Sequence, residues 1–343
     1  MAVLETSAVV LTGLVLIVLV TAVWFLFFTE GDSFTRKAPV QIEVKSGEGT
    51  AQIARKLASA GVIRNANAFR LRSRVRGVDG KLRVGVYDLE TGMPDRTVIA
   101  ALLSGPRIKY FTVTIPEGFV LEQIAERLSV KAGISKAEFL KTAQTGADRF
   151  TSKHPYLSDA YKGSLEGYLF PKTYRIRAGS SADEVIEMML RQFDIEMKTI
   201  DTAESAARGL SFNQLVVLAS MVERESKLDR ERPLVASVIY NRLSRKMRLE
   251  IDATIEYVLP GNRFRLRNRD LRIDSPYNTY QRTGLPPGPI SNPGLAALKA
   301  AASPADTAYL YYVLTGKDGS HTFAENEADF LVAKKKSKEV FGR

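Results

Sequence analysis

Two carboxylates near the end of one helical pattern are the residues best placed to do chemistry. Ser211 to Ser226 reads as a helix: Ser211 with Gln214 makes a capping-box start, and Phe212, Leu215, Leu218, Ala219 and Val222 share one face at about 3.6 residues per turn. Glu223 lies at one margin of that face, a turn beyond Ala219. Glu225 lies at the other, near Leu218 and Met221, while Arg224 points away. A carboxyl pressed against apolar neighbours has its charged form destabilised, so its pKa rises and it can donate a proton near neutral pH. The bland alternative is a pair of boundary charges neutralised by Arg or Lys. Periodicity does not choose between Glu223 and Glu225.

Other chemistries find little support. The 343 residues contain no cysteine, which excludes disulfides, thiolate metal sites and a cysteine nucleophile. The two histidines, His154 and His321, belong to no metal-ligand pattern, so no metal is expected. There is no Gly-x-Ser-x-Gly elbow and no phosphate-cradling glycine loop, and no cofactor is implied. What remains is carboxylate chemistry among aromatic, Asn and Thr side chains. That suits a carbohydrate, whose rings stack on apolar faces while its hydroxyls need hydrogen-bond partners. The net charge of +11 suits a polyanion. Its clusters at Arg70–Arg76 and Arg263–Arg269 read as solvated faces or anion sites, and no nucleic-acid motif accompanies them.

The elements that must position these residues follow from pattern. The length suits about two or three domains. Ala8 to Phe28 is uncharged, rich in Leu, Val and Phe, and has Trp24 near its end. At about 1.5 Å per residue it can cross a hydrocarbon core about 30 Å thick. A cleaved signal peptide would have a shorter apolar run and a small-residue site, whereas this run ends in Trp24-Phe25-Leu26-Phe27-Phe28, so an uncleaved anchor is favoured. Flanking charges give no firm orientation. Residues 29–39 read as a linker. An internal repeat follows. Val44-Lys45-Ser46-Gly47-Glu48-Gly49 leads to Ile53-Ala54-Arg55-Lys56-Leu57, and Val113-Thr114-Ile115-Pro116-Glu117-Gly118 leads to Ile124-Ala125-Glu126-Arg127-Leu128. Each copy places a short strand before a glycine turn and an amphipathic helix. Further on, Gly85–Leu89 reads as a strand and Thr97–Leu103, Ser181–Lys198 and Pro233–Lys246 as helices. Ser275–Gly294 reads as a functional loop, and Tyr309–Leu314 as a buried strand.

At this point the residues resemble a known family. Leu218-Ala219-Ser220-Met221-Val222-Glu223-Arg224-Glu225 is similar to the catalytic helix of the endolytic murein transglycosylases, the YceG-like family. Four other motifs agree in order. They are Glu166-Gly167-Tyr168-Leu169-Phe170-Pro171, then Val238-Ile239-Tyr240-Asn241-Arg242-Leu243 with Asp252, then Ser275-Pro276-Tyr277-Asn278-Thr279-Tyr280 running into Asn292-Pro293-Gly294, and Tyr309-Leu310-Tyr311-Tyr312-Val313 leading to His321. Where the family often has Thr-Asp-Pro, this chain has Ile251-Asp252-Ala253.

The resemblance implies an α+β chain with an N-terminal transmembrane helix, a small LysM-like α+β module and a larger mixed α/β catalytic domain. The expected divisions are a tail at 1–7, the span at 8–28, the linker at 29–39, the LysM-like region at 40–157 and the catalytic domain at 158–343. The resemblance places the protein in the cell inner membrane with its bulk on the periplasmic side. It implies peptidoglycan glycan strands as substrate, the cell-wall synthesis machinery as a partner, and a role in terminating or trimming nascent strands. It also selects Glu223 as the catalytic acid and base, cutting the MurNAc–GlcNAc bond without water and leaving 1,6-anhydro ends. Because the sugar's own O6 attacks, a single carboxyl then suffices. Glu166, Asn278, Tyr280, His321 and Glu225 are expected either to orient the sugars or to be satisfied structural polar groups. A non-catalytic membrane-anchored peptidoglycan binder is the alternative function.

Overall fold

Both copies of the repeat fold as a strand, a turn and a helix, and each strand finds a different partner. In the computed structural model, which describes residues 13–18, 20–21, 37–107, 109–259 and 266–342, β1 (Pro39–Val44) leads to α1 (Thr50–Ser59). Then come α2 (Ala66–Val75), β2 (Gly85–Glu90) and α3 (Asp95–Ser104). β1 and β2 pair antiparallel, from Pro39 opposite Glu90 to Val44 opposite Gly85. Alternate residues turn Ile42, Val44, Tyr87 and Leu89 onto Ile53, Leu57, Phe69, Val98 and Leu102, the period-two burial of a strand pair covered on one face. In the first turn Glu48 accepts hydrogen bonds from the Lys45 amide (3.0 Å) and from Lys56.

The second copy forms β3 (Tyr110–Thr114) and α4 (Leu121–Ala132), followed by α5 (Lys136–Thr145). β3 pairs antiparallel with β4 (Thr173–Arg177), Tyr110 lying opposite Arg177. The helices α6 (Ala182–Met197), α7 (Ala203–Ala207), α8 (Phe212–Glu225), α9 (Arg232–Ser244), α10 (Asp252–Val258) and α11 (Leu295–Ala302) come next. A last antiparallel pair, β5 (Tyr311–Leu314) and β6 (His321–Ala324), precedes α12 (Glu327–Phe341).

The chain divides into two compact units, residues 1–108 and 109–343. The boundary expected near residue 157 falls inside the second unit, for two reasons. The β3–β4 pairing spans it, and Val113, Leu128 and Phe139 share one core with Leu190 and Leu218. The two repeat copies therefore belong to different units.

α8 begins as its sequence predicts: Ser211 Oγ accepts from the Gln214 amide (3.2 Å), and Gln214 Oε1 accepts from the Ser211 amide (2.9 Å). Its burial differs from the single stripe expected. Every residue from Leu215 to Val222 is buried, Ser220 included, because α9, α10 and α11 all pack against it. The strand Tyr309–Leu314 is shorter and less buried than expected. Leu310 is buried, but Tyr311, Tyr312 and Val313 are half-buried and Leu314 is exposed, since β6 is the only strand beside β5 among the described residues.

Residues 13–18 and 20–21 are helical with exposed side chains. The rest of the expected span 8–28 lies outside the described residues, as do the tail 1–7 and most of the linker. Among the described residues no helix is long and apolar enough to cross a membrane.

Candidate active site

α8 carries a loop along its length. Ser220 Oγ accepts from the Ile290 amide (3.0 Å), and Ser291 Oγ donates to the Ser220 carbonyl (3.1 Å). These bonds fix residues 290–294 against the helix. Asn292, wholly buried, then ties three loops together. Its Oδ1 accepts from the Gly167 and Leu169 amides (3.0 and 2.9 Å), and its Nδ2 donates to the Phe119 carbonyl (2.9 Å) and to Glu166 Oε1 (2.7 Å). Its backbone carbonyl accepts from the Gly118 amide (2.9 Å). The close approach explains Gly167: its φ is +90°, and a Cβ there would stand 2.4 Å from the Pro289 ring.

This framework delivers the Gly294 amide, at the N-cap of α11, to Glu223 Oε2 at 3.0 Å. The same oxygen accepts from Arg232 Nη1 at 2.8 Å. Both side chains are removed from water, 6% exposed for Glu223 and 7% for Arg232. Arg232 opens α9, just ahead of Pro233 in the first turn, and its Nε also donates to Asp229 Oδ1 (3.0 Å). One oxygen of Glu223 is thus held by an amide and a guanidinium. Among the described residues no hydrogen bond engages the other, Oε1, which leaves it to exchange a proton with a ligand.

Glu225 faces elsewhere. Its Oε2 accepts from Tyr312 Oη (2.8 Å), and burial pushes its carboxyl up to about 7, with the Asp252 charge adding to the effect. Tyr280 Oη donates to Asp252 Oδ1 (2.5 Å). The Tyr312 ring meets the His321 ring edge-on at 5.5 Å, and His321 Nδ1 lies 2.8 Å from buried Glu231. Tyr312 and Asp252 therefore gather Glu225, Tyr280 and His321 into one cluster. Asn278 is not in it. Wholly buried, it donates to the Leu271 and Ile273 carbonyls (3.0 and 2.8 Å) and accepts from the Tyr280 amide, stapling its own loop.

Glu166 sits behind Asn292. Burial pushes its carboxyl up to about 8, although the Leu121 amide (3.2 Å) and Asn292 both donate to it. It lines a cavity of about 680 Å³ together with Tyr161, Tyr257, Tyr277 and Arg224. Sequence reasoning missed Arg232, Asn292 and Tyr312 as site residues. Asn292 was legible only as part of a motif, and Arg232 only as a charge shortly after the helix.

The YceG-like family profile matches residues 42–336, most of the chain. This chain belongs to the YceG-like family. It is 34% identical over 309 residues to the endolytic murein transglycosylase of Bacillus subtilis, covering 88% of this chain and 85% of that one. It is 30% identical over 317 residues to the endolytic murein transglycosylase of Streptococcus pneumoniae, covering 85% of this chain and 57% of that one. A crystal structure of a yceG-like protein from Listeria monocytogenes superimposes with a TM-score of 0.59 at 31% identity, over 87% of this chain and 99% of that one. The YceG-like match runs through both units and includes every residue of the two carboxylate clusters.

Proposed function

We propose that this chain is a membrane-anchored endolytic murein transglycosylase with Glu223 as its acid and base. The observation that carries the reading is the one-sided grip on Glu223: Oε2 held by Arg232 and the Gly294 amide, Oε1 open. Protonated Glu223 gives its proton to the oxygen leaving MurNAc C1. The carboxylate then takes the proton of O6 of the same sugar, and O6 closes on C1 as a 1,6-anhydro ring. Attack within one sugar replaces a bimolecular step with a favourably placed intramolecular one. It also removes the need for a carboxylate nucleophile or a water-activating base.

The cavity lined by the three tyrosines and Arg224 suits sugar rings, with the tyrosine faces for stacking and Glu166 as a neutral hydrogen-bonding carboxyl. The cluster of Glu225, Tyr280 and His321 orients the strand on the other side of the helix end. The apolar run Ala8–Phe28 is the anchor. It leaves both units on the periplasmic face of the inner membrane, where the LysM-like first unit holds glycan and the second trims nascent strands beside the synthesis machinery.

The test is the chemistry of the ends. Digestion of unmodified glycan strands should give anhydro-ended fragments by mass spectrometry; ends carrying an added water would make the enzyme a hydrolase. Glu223→Gln, whose amide oxygen can still accept from Arg232, should fold and release nothing. Full activity in that variant, with loss in Glu225→Gln, would transfer the role to Glu225.

A further inference from the structure

Glu117 lies in the turn between β3 and α4, beside Gly294. A Cβ placed on Gly294 would stand 1.9 Å from Glu117 Oε1, while the amide of that same glycine is 3.0 Å from Glu223 Oε2. A Cβ on the next residue, Gly118, would stand 3.5 Å from Glu223 Cγ. Both carboxylates thus approach the same glycine. The turn that brings Glu117 there is fixed by the bond from the Gly118 amide to the Asn292 carbonyl. Glu117 is exposed, and among the described residues no hydrogen-bond donor meets its carboxyl. Partial burial and then the Glu223 charge raise its proton affinity, against the pull of Arg232.

We propose that Glu117 is the second carboxyl of the site, holding one proton jointly with Glu223, and that this shared proton is the one lent to the departing oxygen. The inference rests on reading Glu223 as the acid and base. Arg232 and an amide on one oxygen suit a carboxylate, and a carboxylate cannot protonate a leaving group. A like charge beside Gly294 makes loss of the last proton costly, since two adjacent carboxyls do not both ionise readily. The balance closes. The C1–O electron pair leaves with the departing oxygen, which takes the pair's proton; O6 gives its proton back to the pair and bonds to C1. Glu117 acts through Glu223 and needs no contact with the sugar. The other titratable groups around the pair are Asp229 just before α9, Arg232 at its start, Arg224 on α8, and Glu166 beyond Asn292.

The experiment is the pH profile of kcat/KM for release of anhydro-ended fragments, between pH 5 and 9, for the full chain and its Glu117→Gln, Glu117→Asp and Glu223→Gln variants. Glu117→Gln should shift the alkaline limb down by about one pH unit or more. Glu117→Asp should restore most of the shift. A Glu117→Gln profile with its alkaline limb unmoved, whatever its height, overturns the shared proton. Glu223→Gln should be inactive at every pH. If it is active, the reading of Glu223 has failed, and that outcome is separate from an unmoved limb in an enzyme that still needs Glu223.

Discussion

Truncating Asn292 to alanine removes a side chain that joins the three loops of the site. Its backbone bonds to Phe119 and Gly118 would survive, so the chain can still reach its register. The amides of Gly167 and Leu169 would lose their acceptor inside the core, and Glu166 Oε1 would lose its donor. An orphaned buried group costs about 1–3 kcal/mol, so the two amides alone give about 2–6 kcal/mol. That is a large share of a typical stability of about 5–15 kcal/mol. In urea denaturation at pH 6, followed by circular dichroism, the midpoint should fall by about 1–2 M with little change in slope. Glycan cleavage under native conditions should fall at least about tenfold, because the Gly294 amide is no longer held on Glu223. A midpoint within about 0.3 M of wild type would mean that water or relaxation satisfies those groups, and that Asn292 is not what ties the loops.

Two more outcomes follow from the same geometry. Gly294→Ala keeps an allowed backbone, with φ at −80°, but its methyl lands on the Glu117 carboxyl. The flexible side chain should move aside, leaving stability within about 1 kcal/mol and lowering cleavage at neutral pH more than at pH 5; equal loss at both would point to a displaced loop instead. Stability should also depend on pH through Glu166, whose folded-state value of about 8 stands above the ordinary 4.5. Below 4.5 both folded and unfolded states hold the proton. Between the two values only the folded state does, so stability falls as pH rises, by up to about 1.4 kcal/mol per unit. Glu225, raised to about 7, adds the same sign over its narrower window. Melting temperatures at pH 5 and pH 8 should therefore differ less in Glu166→Gln than in wild type, and an equal difference would count against a protonated Glu166.

Local features were legible in the sequence and long-range ones were not. The capping box of α8 needed only Ser211 and Gln214, and the repeat needed only its matched valines, glycines and isoleucines. Helical phase set Glu223 and Glu225 on different sides of α8, and the structure gives them separate clusters. Phase could not reveal that α8 is buried all round, because Ser220 reads as polar until Ile290 and Ser291 are seen to bond to it. Nor could it choose Glu223, since what distinguishes that carboxyl is Arg232 and Gly294, brought from other elements. Asn278 lies in an aromatic, turn-rich loop and reads either as a sugar-orienting residue or as a satisfied structural polar group. The same richness is what requires an internal staple, and Asn278 serves as one.

The repeat supplies its own control. In the first copy Glu48 is satisfied where it stands, bonded to Lys56 and the Lys45 amide, and that pairing holds its carboxyl below the usual range. In the second copy the basic residue at the corresponding helix position, Arg127, instead bonds the Thr114 carbonyl (3.2 Å) and lies 5.0 Å over the Phe119 ring. The turn glutamate is left without its lysine, and its proton affinity moves the opposite way. A scaffold piece used twice has been kept closed in one place and opened in the other. The open copy can be closed in the same way by design: a basic residue placed to capture Glu117 would give it the partner that Lys56 gives Glu48.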